Sequence, residues 1–559
     1  MKLEKCPICS TKMKEQTGRM VCPQCGYYQI TDRNASTPAP APMPGPASAW
    51  PPYNGAPSGP VIMPGPQQES RTRGTINVTA SPRNNSFNVA ALIGWISAVL
   101  LVVICVSLLI FLNRDKEMTA DSSAVESVEE SEEYDSSDYL PRSESYQALI
   151  AQIFDKNDYT EVTRQEIQRI TELDFYYDED SERCLLVTLD DGTTLDYFLN
   201  TSLNMDNADL SCFSGVTDLT LEYGYLSEGD LHGMANLTSI ASDLSLDELY
   251  DQVPYPENIQ SIELLDTFFS SDCEGIQKFP NLKAFSAESG IEDIGALSEM
   301  TKLEALYLGT YDVVDFSPLY KLTGLKALAL DASRLKDISF IQSMPELRYL
   351  SIANTDELKS IQPLEGCADT LEQLFLSNTW GIEDYSVIEQ LTSLTQLQLC
   401  VSYEDTLPSF AGLQNLEYLE LYGADDLRAI GEAKGLIYLS LDSCNCEDMT
   451  FLSGLQNLEI LDLYDMSGYF VSLQPVTQLP KLRILDISDS TAYTDAAVLL
   501  GIPTLEEFYM SECNIGFNPG SVPANANLKV LDMNYAEIFE LADSNYGWLQ
   551  EATPVALSE

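Results

Sequence analysis

Residues 216–533 repeat one short apolar pattern every 20 to 24 residues. Each copy carries an apolar residue at relative positions 1, 4 and 6, as in Leu303/Leu306/Leu308 and again in Leu416/Leu419/Leu421. We count about fifteen copies, of which the first four are looser than the rest. Positions 4 and 6 share a parity, so a strand there points both to one side and positions 3, 5 and 7 to the other.

This pattern predicts an α/β leucine-rich repeat solenoid of about fifteen repeats over residues 181–540, followed by a short tail at 541–559. A unit of this size cannot bury its own apolar face, so the units must stack and form a parallel sheet on the concave side. The alternative of a long heptad helix is disfavoured, because the period is near 22 residues and Gly or Pro interrupts nearly every unit.

Charge is distributed very unevenly along the chain. Residues 1–88 have a net charge of +5, residues 89–112 have no charged side chain, and residues 113–559 have a net charge of −61. Nucleic-acid binding requires a positive surface, so nucleic acid is not expected as a ligand of the repeats.

The N-terminal segment, residues 1–30, contains two Cys-x-x-Cys pairs separated by twelve residues. Four thiolates at this spacing predict a structural, tetrahedral Zn²⁺ site, whose ligands would be Cys6, Cys9, Cys22 and Cys25. The Cys-Pro-x-Cys and Cys-Pro-x-Cys-Gly sequences resemble the zinc-ribbon family. A disulfide pair or a redox dithiol is the alternative.

Three further segments separate this ribbon from the repeats. Residues 31–88 are rich in Pro, Ala, Gly and Ser without apolar periodicity, which is typical of a disordered linker. Residues 89–112 are 24 uncharged, mostly apolar residues, long enough for one transmembrane helix, with a buried core helix as the alternative. Residues 113–142 are strongly acidic and predict an extended stalk.

Topology is predicted from two observations. Arg71, Arg73 and Arg83 precede the apolar segment, whereas Arg114 and Lys116 follow it, a small positive-inside bias. Zinc thiolates also favour a reducing compartment. We therefore expect a single-pass cell-membrane protein with a cytosolic N-terminus and extracellular repeats.

Residues 143–180 show helical apolar spacing and predict an N-terminal cap for the solenoid. The segment Val162–Asp174 resembles the capped start of internalin-type bacterial leucine-rich repeat proteins, and the resemblance extends to about residue 534. Position 9 departs from that family, because Ser, Thr or Cys stands where Asn is usual. The matching turns on the convex side are Asp315–Leu319, Asp337–Ile341, Ser360–Leu364 and Asp448–Leu452.

Within the cap, residues 155–166 place Asp155, Asn157, Glu161 and Glu166 at liganding positions of an EF-hand-like loop. Tyr159 replaces another usual ligand, and Thr160 replaces the glycine of the sharp turn. Calcium binding is thus an alternative to a purely structural cap.

The sequence contains no recognisable catalytic constellation. Its single histidine is His232, and we find no Ser-His-Asp set, His-Glu-x-x-His motif or phosphate-binding glycine loop. Cysteines within the repeats, including Cys444 and Cys446, occupy positions typical of small packing groups, with redox activity or disulfide formation as alternatives. We therefore predict a protein that is not an enzyme.

The outward positions of the repeats combine aromatic rings with carboxylates. This combination suits a cationic or glycan ligand, although strands also favour tyrosine for its own sake and a hydrated face needs acids. The candidate ligand-binding residues are Tyr349, Phe375, Tyr418, Glu420, Tyr422, Tyr438, Asp442, Asp462, Tyr464, Asp486, Tyr509 and Asp532.

These features favour a membrane-anchored protein whose repeats bind a protein or cell-wall ligand outside the cell, with or without a relay to the zinc ribbon. One alternative is a passive adhesion or envelope-structural protein without signalling. A second is a membrane enzyme that uses the acidic face as a glycosidase-like carboxylate site.

Overall fold

The structure is a computed structural model that describes most of residues 139–539 and three short strands nearer the N-terminus. Within 139–539 the description omits 178–182, 199–206, 222–225, 227–229, 266–270, 288–289, 403–405, 445–448, 467–472, 517–524, 526 and 533–536. The N-terminal strands are β1 (Lys14–Gln16), β2 (Arg19–Val21) and β3 (Tyr28–Ile30), which form an antiparallel sheet in that order.

The cap combines two helices with an antiparallel extension of the sheet. Its elements are α1 (Glu144–Ile153), α2 (Arg164–Ile167), β4 (Ile170–Tyr177), β5 (Arg183–Leu189) and β6 (Thr194–Phe198). The apolar spacing of residues 143–180, which includes Ile167, Ile170 and Leu173, predicted helix throughout. This is wrong at Ile170 and Leu173, because both lie on β4. A register shift between Ile170 and Glu172 allows two apolar residues three positions apart to point inward on a strand.

The cap is fixed to the first repeat by hydrogen bonds and by ring packing. The two carboxylate oxygens of Asp209 accept hydrogen bonds from the backbone N–H groups of Arg142 and Ser143 at 2.8 and 2.6 Å. The rings of Tyr146 and Phe213 pack with their centroids 5.5 Å apart. The cap therefore covers the apolar end of the stack, as a solenoid requires.

Each of the fifteen repeats contributes one strand to a parallel array that begins beside β4. Adjacent strands pair in register, so that equivalent positions of successive repeats lie side by side. With β4, β5 and β6 the pairings connect eighteen strands. The repeat strands are β7 (Asp218–Leu221), β8 (Ser239–Ser242), β9 (Ser261–Leu264), β11 (Ala284–Ala287), β13 (Ala305–Thr310), β14 (Ala327–Ala332), β15 (Tyr349–Ala353), β16 (Gln373–Ser377), β17 (Gln396–Cys400), β18 (Tyr418–Tyr422), β19 (Tyr438–Asp442), β20 (Ile460–Asp462), β21 (Ile484–Asp486), β23 (Glu507–Tyr509) and β25 (Val530–Asp532).

The return half of most repeats is a 3₁₀ helix introduced by a polar turn. Asp315 accepts a hydrogen bond from the backbone N–H of Ser317 at 2.9 Å, and Asp337 bonds Ser339 in the same way. The 3₁₀ helices are Tyr159–Glu161, Asn207–Cys212, Pro256–Asn258, Ile276–Lys278, Gly295–Glu299, Ser317–Lys321, Ser339–Ser343, Gln362–Cys367, Ser386–Gln390, Arg428–Glu432, Thr450–Gly454 and Gln474–Gln478.

The remaining elements also belong to the return halves. They are helices α3 (Leu246–Gln252) and α4 (Ala496–Leu500), and strands β10 (Ser271–Asp272), β12 (Ile291–Asp293), β22 (Thr491–Asp495), β24 (Asn514–Gly516) and β26 (Glu537–Phe539). Strands β10 and β12 pair in parallel, and so do β22, β24 and β26.

The core lies between the sheet and the return halves. The apolar residues at positions 1, 4 and 6, such as Leu371, Leu374 and Leu376, have no exposed surface. Burying one such side chain contributes about 1.5–3 kcal/mol before the entropy of ordering is subtracted. Stacked repeats therefore share one continuous core, as the periodicity predicted.

Polar ladders connect successive repeats at both ends of the strands. At the residue before position 1, Asn415 and Asn457 donate side-chain hydrogen bonds to the carbonyls of Thr392 and Lys434 at 3.1 and 3.0 Å. At position 9, the hydroxyl of Thr355 donates to the Leu335 carbonyl at 2.8 Å. Hydroxyl-to-carbonyl bonds thus take part of the role of the position-9 asparagines that the internalin-type pattern would have supplied.

Position 2 carries a row of paired charges along one edge of the sheet. We call it the charge row. Its ion pairs have N–O distances of 2.6 to 3.4 Å and join Glu304 to Lys326, Arg348 to Glu372, Arg483 to Glu459 and Glu506, and Lys529 to Glu506.

Candidate functional site: the polar sheet face

The side chains at positions 3, 5 and 7 lie on the side of the sheet opposite the core, and we call this side the sheet face. The strand register arranges them in columns whose members are about 4.8 Å apart. Column 5 of the C-terminal half contains, in order, Gln398, Glu420, Ser440, Asp462, Asp486, Tyr509 and Asp532.

Positive side chains are absent from this face. In all fifteen repeats, positions 3, 5 and 7 of the sequence contain no Lys, Arg or His. Position 2 of the same repeats carries Lys or Arg in Lys283, Lys326, Arg348, Arg483 and Lys529. The charged residues at these positions are therefore all acidic, whereas the adjacent edge has charges of both signs.

Two of the predicted binding residues lie in a buried, apolar part of the face. Tyr349 is 1% exposed and Phe375 is 7% exposed, and their ring centroids are 5.6 Å apart. They form one cluster with Tyr307 and several alanines of β11, β13 and β14. This part of the face offers little polar surface, so Tyr349 and Phe375 are separated in character from the other ten predicted residues.

The centre of the polar part is a stacked pair of tyrosines. The rings of Tyr418 and Tyr438 lie 4.4 Å apart, centroid to centroid, with their planes 4° from parallel. They occupy column 3 of adjacent strands, and the register alone brings them face to face. The Tyr418 hydroxyl donates a hydrogen bond to the carboxylate of Glu420, two residues later. This bond fixes one ring edge beside a carboxyl group.

Burial changes the acidity of the carboxyl groups around this pair. It raises the pKa of Glu420 to about 7, against the opposing effect of the Tyr418 hydrogen bond and with a further contribution from the charge of Asp442. Burial also raises the pKa of Asp442, although a hydrogen bond from Ser443 opposes the shift. A positive charge placed beside these two groups would therefore stabilise their ionised forms.

Asp462 is a second acid of the face whose pKa is raised. Its Oδ1 atom is shielded from solvent and accepts no hydrogen bond from the residues that the structure describes. Burial raises its pKa well above the usual value, and the charges of Asp486, Glu420 and Asp442 act in the same direction. Asp462 and Asp486 are register partners in β20 and β21, so two carboxyl groups lie side by side and each disfavours the ionised form of the other.

The other predicted residues surround this centre. Tyr422 lies in column 7 between Cys400 and Asp442, and burial raises the pKa of its hydroxyl. Tyr464 follows β20 and is partly exposed. Toward the C-terminal end, the Tyr509 hydroxyl donates to Glu507 Oε2 at 2.6 Å, and Asp532 is its register partner.

The structure adds three polar residues that the sequence analysis did not single out. They are Gln398 and Ser440 in column 5 and Glu507 in column 3. Their signal was available, because every third, fifth and seventh position faces the same way. The prediction kept most of the tyrosines and acids of these columns, and it missed one acid, Glu507, and two neutral side chains between them.

No metal site is found in the part of the chain that the structure describes, where no three His, Cys, Asp or Glu side chains converge. The proposed calcium ligand Glu166 is already engaged: it completes a capping box with Thr163 and forms an ion pair with Lys156 at 2.8 Å. Asp158 turns to the backbone N–H of Thr160. The structural reading of the cap accounts for these contacts.

The described thiols of residues 181–540 are unlinked, and all except the partly buried Cys212 are buried, among them Cys367, Cys400, Cys444 and Cys513. Burial raises the pKa of Cys367 and Cys400 to about 11 and that of Cys513 to about 12. A thiol with a raised pKa is a poor nucleophile at neutral pH. This agrees with packing as the role of these residues; Cys446 lies outside the described residues.

Several predictions fall on other parts of the chain, among them the linker at 31–88, the stalk up to residue 138 and the tail at 541–559, which lie outside the described residues. The zinc ligands Cys6, Cys9, Cys22 and Cys25 and the apolar segment 89–112 lie outside the described residues. Among the helices that are described, none is long and apolar enough to cross a membrane.

Comparison with known proteins gives structural matches only, since no family model and no curated protein matches the sequence. An internalin (InlF) of Listeria monocytogenes is 18% identical, with a TM-score of 0.38 over 75% of this chain and 97% of its own. A leucine-rich repeat protein of Leptospira interrogans is 18% identical, with a TM-score of 0.43 over 58% of this chain and 92% of its own. Toll-like receptor TLR13, solved in complex with a single-stranded RNA, is 16% identical, with a TM-score of 0.41 over 62% and 63%.

The repeats themselves decide the architecture. Fifteen in-register parallel strands have buried residues at positions 1 and 4, and also at position 6 in the fourteen repeats where that residue is described. They share one core with the return segments. The described residues of 139–539 therefore have the leucine-rich repeat fold.

Proposed function

We propose that this chain binds a protein or cell-wall ligand through the polar sheet face between β17 and β25. The observation that carries the proposal is the Tyr418–Tyr438 stack, which is surrounded by carboxyl groups on a face without positive charge. Rigid aromatic rings supply contact area at low entropic cost, and the acids supply steering and hydrogen bonds. Leucine-rich repeat domains provide extended surfaces suited to such recognition.

We further propose that the repeats are anchored to the cell membrane by residues 89–112 and face the extracellular side. The supporting observations are the uncharged apolar run and the small excess of arginines before it. The resemblance of residues 143–534 to internalin-type proteins agrees with a surface location.

The N-terminal segment is proposed to fold around one Zn²⁺ in the cytosol. The four-thiolate donor set suits a closed structural site, and the hairpin of β1 and β2 lies between the two cysteine pairs. Such a ribbon would recruit a partner or relay ligand binding across the membrane.

Protease shaving of intact cells tests the proposed topology. With one tag at residue 1 and another at residue 559, only the C-terminal tag should be lost. Loss of the N-terminal tag alone would mean that the repeats are cytosolic and that the topology is inverted.

Ligand capture tests the proposed face. The double variant Tyr438→Ala/Asp462→Ala should lose the partner that the wild-type chain captures from the surface fraction of the producing cells, while its far-UV circular dichroism is unchanged. A matched double variant, Tyr320→Ala/Glu365→Gln, alters exposed residues of the return halves and should retain capture. Loss of capture only in the second variant would move the site to the convex side.

An adhesion protein without signalling is the second candidate. Its face would bind in the same way, and the two differ in the role of the ribbon. Deleting residues 1–30 should abolish a cellular response to ligand if signalling occurs, and should have no effect in a passive adhesin.

A further inference from the structure

We propose that the partner inserts an arginine side chain between the Tyr418–Tyr438 stack and the Asp462–Asp486 pair of the sheet face. This inference rests on the proposed function and names the chemistry of the ligand at that site. The occupant is a basic segment of a partner protein.

Asp462 has a buried carboxyl oxygen without a hydrogen-bond donor. Its Oδ1 is closed to solvent and has no hydrogen-bond donor among the described residues, although a buried polar atom of this kind normally has one. Leaving such an acceptor unsatisfied costs about 1–3 kcal/mol, and more for a charged group. A donor from a partner would recover this free energy once the Asp462 side chain turns outward to meet it.

Several carboxyl groups also lie close together in this part of the face. Asp462 and Asp486 are register partners about 4.8 Å apart, and the charges of Glu420 and Asp442 also act on Asp462. No side chain at positions 3, 5 or 7 in any repeat can neutralise them, because Lys, Arg and His are excluded there. Within these columns only protonation relieves the repulsion, as the raised pKa of Asp462 indicates, and a cation from a partner would replace that proton.

The tyrosine stack beside these acids indicates the shape of the occupant. Tyr418 and Tyr438 present a rigid aromatic stack two residues in sequence from column 5. A guanidinium group is planar, stacks on aromatic rings and donates two parallel hydrogen bonds to a carboxylate. An ammonium group can do only part of this. The combination of rings and neighbouring carboxylates thus favours arginine over lysine.

A metal ion is a less suitable occupant. A divalent ion requires several convergent oxygen ligands, and no such group of three is found in the described part of the chain. The aromatic stack would also have no role in binding Ca²⁺ or Mg²⁺.

The test measures binding of a fluorescein-labelled octa-arginine peptide to the full chain in detergent micelles by fluorescence polarisation. Octa-lysine of equal charge is the matched probe. We expect octa-arginine to bind the wild-type chain about tenfold more tightly than octa-lysine, which corresponds to one aromatic stacking contact and one bidentate bond.

Asp462→Asn should weaken octa-arginine binding about tenfold, because an amide of the same shape cannot ionise beside the guanidinium group or accept two parallel hydrogen bonds from it. Tyr438→Leu should reduce the preference for arginine over lysine and provides a second variant should Asp462→Asn fail to fold. Glu365→Gln removes the same charge from an exposed site on the return half and should leave both affinities unchanged.

Two outcomes would overturn the inference. Equal weakening by Asp462→Asn and Glu365→Gln would mean that the probe responds only to the overall charge of −56. Absence of octa-arginine binding, in a chain whose ligand capture is nevertheless lost in Tyr438→Ala/Asp462→Ala, would leave the proposed binding face intact and reject arginine as its ligand.

Discussion

The charge row and the sheet face lie one residue apart along the repeats, yet the pKa values of their carboxyl groups shift in opposite directions. In the charge row, hydrogen bonds from Arg483 and Lys529 outweigh partial burial and lower the pKa of Glu506. On the face, burial raises the pKa of Glu420 to about 7 although Tyr418 donates a hydrogen bond to it. Both glutamates project from the same parallel sheet.

The difference teaches how a highly acidic solenoid uses its few cations. Residues 113–559 contain 21 Lys and Arg against 82 Asp and Glu. Several of these cations bridge neighbouring repeats at position 2, where they stabilise the stack. None of these cations stands at positions 3, 5 or 7. The carboxyl groups of the face therefore have no cation in their own columns to offset their mutual repulsion. This unequal distribution is the basis of our functional proposal.

The largest expected effect tests whether the two sides of one strand are as distinct as we describe. Leu439 points into the core with no exposed surface, whereas its neighbour Tyr438 lies on the face. Leu439→Ala should lower the free energy of unfolding by about 2–5 kcal/mol. Tyr438→Leu should cost about 0.5–1.5 kcal/mol, the value of an aromatic pair. Urea denaturation followed by circular dichroism measures both, and equal losses would contradict the assigned sidedness.

The next prediction tests whether the charge of Glu420 destabilises the folded protein. Because the folded-state pKa of Glu420 is raised from 4.5 to about 7, the native state holds this proton more tightly than the unfolded state does. Stability contributed by the protonated group is present below pH 4.5 and is lost as pH rises to about 7.

Glu420→Gln should therefore raise the free energy of unfolding by about 1–3 kcal/mol at pH 8 and change it little at pH 4.5. Urea denaturation at the two pH values measures the difference. Glu365→Gln is the exposed control and should show no such pH dependence. An equal increase in the free energy of unfolding at both pH values would show that the charge of Glu420 does not destabilise the folded state.

The smallest effect tests the charge row. Arg483 bridges Glu459 and Glu506 with N–O distances of 3.4 and 3.3 Å, and its side chain is about one-quarter exposed. Arg483→Met should lower the free energy of unfolding by about 1–2 kcal/mol, because two carboxylates lose their shared cation.

The control is Arg428→Met, since Arg428 pairs locally with Asp426 and is largely exposed. This change should stay within about 0.5 kcal/mol of the wild-type stability. Salt provides a second check, as 1 M NaCl should reduce the Arg483 effect by screening. Equal losses at the two arginines would remove the distinction between a structural row and ordinary surface pairs.

Much of the fold was predictable because the strand period is strict. The apolar residues at positions 1, 4 and 6 correctly placed the fifteen repeat strands and their inward side chains. Ile170 and Leu173 misled the prediction, since a spacing of three suits a helix and also a strand interrupted by a register shift. No residue type distinguishes these two cases before the pairing with β5 is known.

The candidate face was predictable in outline and not in detail. Parity predicted which side chains point away from the core, including Tyr349 and Tyr438. It did not predict that Tyr349 is buried in an apolar cluster while Tyr438 stacks beside carboxyl groups. The burial that perturbs Glu420 and Asp462 depends on neighbours from several repeats, which are more than 20 residues away in sequence.

Site-specific photo-cross-linking tests the central claim most directly. A photo-reactive phenylalanine analogue would replace Tyr464 on the face or, as the control, Gln456 on an exposed return segment. In intact producing cells, irradiation should join a partner to the chain labelled at 464 and not to the chain labelled at 456. Cross-linking from position 456 alone would contradict the account, because the partner would then contact the side of the solenoid away from the sheet face.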